Sequence, residues 1–94
     1  MLNEVQQAFA YETAKLAYNH GVRVRFTFKK ISGDERTIVA LPRSLIPVER
    51  LPNLEMYDEA VELKENTSLC VFGEDEKDWR SFRISHIISM EVLL

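Results

Sequence analysis

Six side chains in this sequence have the types and spacing to hold an anion. Arg23 and Arg25 stand at alternate positions of one segment, Arg36 follows a turn, and Trp79, Arg80 and Arg83 share a second segment, Asp78-Trp79-Arg80-Ser81-Phe82-Arg83. A guanidinium presents a planar fork of N–H donors that matches phosphate oxygens, and an indole face can stack on a base. If the fold brings these six together, the chemistry is recognition of nucleic acid or a nucleotide. The competing reading makes the arginines ordinary surface charges paired with Glu35, Glu91 and an acidic segment, each pair worth about 0–1 kcal/mol. Trp79 then simply covers the core.

Catalytic and metal chemistry find little support in the residue pattern. Cys70, the only cysteine, lies in the apolar run Leu69-Cys70-Val71-Phe72, where a buried, unreactive thiol is expected. His20 and His86 have no carboxylate spaced to make either a general base. The acids Glu74, Asp75, Glu76 and Asp78 lack the ligand spacing of a calcium loop, and no phosphate-cradling glycine loop is present. The expectation is a protein that is not an enzyme and carries no metal or cofactor.

The elements that must position these residues follow from periodicity. Residues 3–19 read as an amphipathic helix: Asn3 with Gln6 is a capping-box pattern, Val5, Phe9 and Leu16 with four alanines supply an apolar stripe, and Gly21 suits the helix end. Val22 to Lys30 alternates Val22, Val24, Phe26 and Phe28 with Arg23, Arg25, Thr27 and Lys29, the pattern of a half-buried strand. A turn at 31–35 leads to a return strand over Arg36 to Leu41. Pro42 and Pro47 end it, with Leu45 and Ile46 between them anchoring a loop to the core. Residues 48–66 read as an acidic, irregular insertion, with Tyr57 to Lys64 a short helix or an edge segment. Thr67 to Phe72, Trp79 to Ile84 and Ser89 to Leu94 read as three more strands. A charged hairpin turn separates the first two, and a tight turn over Ser85–Ile88 precedes the last. In this last part Phe82, Ile84, Ile87 and Ile88 are expected to fill the core. One helix followed by about five short strands predicts a mainly β (α+β) single domain over 1–94, with an SH3-like or Sm-like five-stranded barrel over 22–94.

Charge sharpens the choice of partner. The net charge is −3. Residues 1–50 carry eight basic and five acidic side chains, whereas residues 51–94 carry four and ten. A generic, salt-driven DNA-coating protein would be basic throughout, so any nucleic-acid contact here is a local patch. The acidic stretch Glu55–Asp78, together with the helix, supports a second expectation: a protein-binding modulator of a host factor, steered by a negative surface. A homodimer through an open sheet edge fits either reading. No apolar run is long enough to cross a bilayer, and the start of the chain lacks the pattern of a signal peptide. With a single cysteine, this leads to the expectation of a cytoplasmic protein without membrane contact.

Several of these residues resemble a known family. Arg25-Phe26-Thr27-Phe28-Lys29-Lys30 with Ser32-Gly33-Asp34-Glu35-Arg36, the Leu45-Ile46-Pro47 element, and Trp79-Arg80-Ser81-Phe82-Arg83-Ile84 with Ile87-Ile88-Ser89 are similar to segments of small phage proteins with an Sm-like or SH3-like barrel. Those proteins are related to the WYL domains of bacterial transcription regulators. The chain departs from that pattern at Val39-Ala40-Leu41-Pro42 and over 48–66, and it has no WYL tripeptide. The resemblance implies the barrel fold, a nucleic-acid or nucleotide ligand met by basic residues on one face, and a regulatory role inside a bacterial host cell.

Overall fold

A computed structural model describes residues 1–51 and 67–94. Helix α1 spans Glu4–Asn19, and five strands follow: β1 (Arg23–Lys29), β2 (Glu35–Ala40), β3 (Ser68–Gly73), β4 (Asp78–Arg83) and β5 (Ile87–Leu93). Single 3-10 turns lie at Arg43–Leu45, Val48–Arg50 and Ile84–His86. The expectations for Tyr57–Lys64, and for most of the acidic insertion, fall on residues 52–66, outside the described residues.

α1 begins where its cap chemistry dictates. The Asn3 side chain accepts from the Gln6 N–H at 2.8 Å, and the Gln6 side chain accepts from the Asn3 N–H at 3.0 Å. Two orphan donors of the first turn are thereby satisfied reciprocally. Gly21, at φ +76°, turns the chain out of the helix into β1.

The strands form one antiparallel sheet in the order β4-β3-β2-β1-β5. β1 is the shared member, pairing with β2 from Val24–Ala40 to Lys29–Glu35 and with β5 from Arg23–Leu93 to Phe28–Ile87. Among the described residues β2 and β3 share one ladder pair, Ala40 with Gly73, flanked by hydrogen bonds from the Leu41 N–H to the Phe72 carbonyl and from the Glu74 N–H to the Val39 carbonyl. The sheet does not close into a barrel, but it folds over on itself. In a flat sheet β4 would lie about 14 Å from β1, three strand spacings away. Instead the Phe82 ring of β4 stacks on Phe28 of β1 at 4.2 Å between centroids and tilts against Phe26 at 5.3 Å.

The core is therefore the concave side: Val24, Phe26 and Phe28 from β1, Ile38 and Ala40 from β2, Leu69 and Val71 from β3, Phe82, then Ile84 and Ile87. Alternation places Arg23, Arg25, Thr27 and Lys29 on the convex side of β1, as its sequence predicts.

Three details differ from the sequence expectation. The last strand starts at Ile87, and its pairing with β1 slips between Thr27 and Phe28, so Ile88 is an extra residue of a β-bulge. The bulge leaves Ile88 half exposed, outside the core that Phe82, Ile84 and Ile87 do fill. Of the two apolar residues between the prolines, Ile46 is buried and Leu45 is exposed. The apolar residues of α1 are also split. Ala10, Ala14 and Ala17, with Tyr11, pack on the sheet, while Val5, Phe9 and Leu16 face water.

Phe82 is the side chain that holds the two halves of the folded-over sheet together. Phe82→Ala removes both ring contacts and leaves a cavity at their centre. It is expected to cost about 3–5 kcal/mol of folding stability, read from urea unfolding. A loss below about 1 kcal/mol would show that the halves are held by other means.

Candidate functional site

The register sorts the charged residues to the two ends of the sheet. At one end lie the start of β1, the end of β2 and the β3–β4 turn, because Val24 opposes Ala40, Ala40 opposes Gly73, and Gly73 opposes Asp78. The Glu74 N–H donates to the Val39 carbonyl at 2.8 Å and fixes the acidic turn there. At the other end lie Lys29 and the β1–β2 turn, the end of β4 at Arg83, and the start of β5 at Ile87.

Most of the six candidate residues are paired, three of them with carboxylates of the β3–β4 hairpin. Arg23 donates to Glu74 at 2.7 Å, and Arg25 to Glu91 at 2.8 Å. Arg36 lies on the concave side of β2 and reaches back to Glu76 at 3.1 Å. The Glu76 carboxylate is tucked against Gly73 so closely that a β-carbon there would collide with it. Arg80 donates to the Asp78 carboxylate at 3.2 Å and to the Trp79 carbonyl at 2.9 Å.

Trp79 does not stand free for stacking. Its indole N–H donates to the Arg50 carbonyl at 2.9 Å, and its ring meets Phe72 edge-on at 5.4 Å. The Arg50 guanidinium lies 5.7 Å from the centre of the Phe72 ring and also pairs with Asp78. Asp78, Trp79, Arg50 and Phe72 thus form a clasp that holds the Val48–Arg50 turn against the outside of the β3–β4 hairpin. The Asp78 carboxyl is held below its ordinary value of 3.8, first by the backbone N–H of Trp79, then by Arg80 and Arg50.

Arg83 is different. It is exposed and makes no ion pair with the described residues. The same holds for Lys29 and Lys30, which the fold brings beside it. His86 makes the junction: its Nδ1–H donates to the Lys29 carbonyl at 3.2 Å and ties the Ile84–His86 turn to the end of β1. Lys29, Lys30, Ile31, Arg83 and His86 line two adjoining open grooves. One continues toward the start of α1, the other along the gap between β2 and β4, where Arg36 and Arg80 also reach its wall. Among the described residues, no acid lines either groove. Asp34 and Glu35, nearest in sequence, belong to the turn and strand beside them.

The structure therefore brings Arg83, Arg80 and Arg36 to one region and leaves Arg23, Arg25 and Trp79 elsewhere. It adds Lys29, Lys30 and His86, which sequence reasoning did not select. The adjacent pair Lys29-Lys30 at the end of an alternating strand was their one visible signal. Cys70 is half-buried rather than buried, and among the described residues no cluster of His, Cys, Asp or Glu is arranged to hold a metal ion. No described helix is long and apolar enough to cross a membrane. The chain matches no protein-family model, no curated protein and no solved structure.

Trp79 is the only tryptophan, so its fluorescence reports the clasp directly. A carboxyl held below its ordinary value stabilises its surroundings above that value, and the contribution is lost as pH falls through the lowered, folded value. Acid titration is expected to shift the Trp79 emission with a midpoint below 3.8, and Asp78→Asn is expected to remove that transition. A transition that persists in Asp78→Asn would assign the change to another group.

Proposed function

We propose that this protein is a non-enzymatic regulatory binding protein that recognises nucleic acid or a nucleotide through the basic grooves at the Lys29–Arg83 end of the sheet. One observation carries the reading: Lys29, Lys30 and Arg83 converge without carboxylate partners among the described residues, on grooves without an acid in their walls. A basic surface that is already neutralised gains little from a phosphate, because the ligand must displace a carboxylate. Unpaired cations have only water and counterions to give up. Arg23 and Arg25 are spent in that sense, each on its own glutamate. Arg36 and Arg80 hold carboxylates too, yet stand close enough to extend the site along the second groove.

A regulatory role of the phage type, in the cytoplasm of a bacterial host, is the further part of this proposal. It rests on the resemblance of the opening hairpin and the closing Trp79–Ser89 segment to small phage barrels. The rival reading, a modulator that presents an acidic surface to a host protein, is weaker at the β3–β4 turn. There Glu74, Glu76 and Asp78 each already hold an arginine.

Titration of labelled oligonucleotides and of a nucleoside triphosphate at low and moderate salt tests the proposal. Binding is expected at low salt and to weaken as salt rises. Lys29→Ala/Lys30→Ala is expected to reduce the salt slope by about one per lysine, and Arg83→Ala to weaken binding further. Arg23→Ala/Arg25→Ala is the control expected to bind as the native chain does. Absence of binding at low salt, or loss confined to the Arg23/Arg25 variant, would overturn the assignment.

A further inference from the structure

α1 is amphipathic in an inverted sense. Its small residues, Ala10, Ala14 and Ala17, face the sheet. Its large apolar residues face water: Val5 is 78 % exposed, Phe9 69 % and Leu16 56 %. Surface helices ordinarily do the reverse, because burying the larger side chain gains more. With Glu12, these residues run at 5, 9, 12 and 16, a 4-3-4 spacing. That is the seam of a helix packed on one other helix at a shallow angle. We infer that this face is the interface of a homodimer, in which α1 packs antiparallel on the α1 of a second copy of this chain.

Two features select a second copy over another partner. The first is symmetry. A two-fold interface must be self-complementary, each position meeting its mirror position on the other copy. Val5 and Leu16 are placed symmetrically about the midpoint between Ala10 and Tyr11, and so are Phe9 and Glu12, Gln6 and Lys15, and Ala8 and Thr13. An antiparallel pair centred there sets Val5 against Leu16 at each end. At the centre it lays the Phe9 ring along the methylene stem of Glu12, whose carboxylate stays at the rim. The second feature is charge. α1 carries Glu4 in its first turn and Lys15 in its later half, on the same side of the seam. Antiparallel copies bring Glu4 of one helix toward Lys15 of the other and oppose their dipoles. Parallel copies would stack Glu4, Glu12 and Lys15 each on its own kind.

A single pair of short helices lies at the small end of specific interfaces, so the dimer is expected to dissociate on dilution. Sedimentation of the full chain over a concentration series reads this directly. The native chain is expected to move from monomer to dimer as concentration rises. Phe9→Glu and Leu16→Lys are each expected to weaken the dimer by about 30-fold or more, the loss of an interface anchor. Both side chains are largely in water in the monomer, so circular dichroism is expected to show both variants folded. Orientation is read by cross-linking in a Cys70→Ser background. Mixing a Val5→Cys chain with a Leu16→Cys chain is expected to give a disulfide-linked pair under mild oxidation, whereas Val5→Cys alone is expected to give little. A chain that stays monomeric at its highest soluble concentration would overturn the proposal. A dimer insensitive to Phe9→Glu, as an edge pairing of β5 would be, would overturn it too, and so would efficient cross-linking of Val5→Cys to itself.

Discussion

The stacking of Phe82 on Phe28 constrains nearly everything else in this fold. β4 and β1 are separated by β3 and β2 in the sheet, yet their rings lie 4.2 Å apart. That contact requires the sheet to fold over, and the bend is placed where the ladder between β2 and β3 is shortest, a single residue pair among the described residues. Once bent, the concave side has room only for the alternate residues of each strand. The convex side takes whatever lies between. The arginines of β1 are outward for this reason, not because a ligand awaits them there.

Bending also separates charge. The β3–β4 turn carries three acids, with Asp78 following at the start of β4, and is drawn to the start of β1 and the end of β2. It meets Arg23 directly, Arg36 by a long reach, and Arg50 and Arg80 through Asp78. The opposite end receives Lys29, Lys30 and Arg83 without a matching acid in the groove walls. Among the described residues, a chain of net negative charge thus keeps basic groove walls at this end, while Glu74, Glu76 and Asp78 are engaged with arginines at the other. The surface pairs themselves add little stability. Their effect is on which cations remain available.

The fold was legible in the sequence because it rests on local signals. The alternation of Val24, Phe26 and Phe28 with charged residues marked β1. The Asn3–Gln6 box marked the start of α1. Prolines at 42 and 47 ended β2. The candidate site was less legible, since its partners are distant along the chain: Arg25 is 66 residues from Glu91 and Arg23 is 51 from Glu74. A basic strand face looks the same in sequence whether its charges are neutralised or free. The junction of Lys29 with His86 spans 57 residues and depends on the bulge and the turn before it. Ile88 shows the same limit at smaller scale: one extra residue in β5 turns an apolar side chain from core to surface, and apolar content alone does not reveal the slip.

The inverted helix follows from the same aromatic core, but only in part. The sheet offers α1 a surface set by Val24 and Phe26, and a helix can approach such a surface closely only through small residues. Alanines at 10, 14 and 17 answer that requirement, and the narrow space they leave against Val24, Phe26 and Ala40 is nearly filled. Nothing in this packing asks for Phe9 or Leu16 on the far side. Lysine or glutamate there would form helix equally well and keep the surface wet. A large apolar residue in water gains nothing for the monomer, and three of them on one seam make an adhesive face. The core explains why the small residues point inward; the outward Val5, Phe9 and Leu16 are what the proposed dimer would cover.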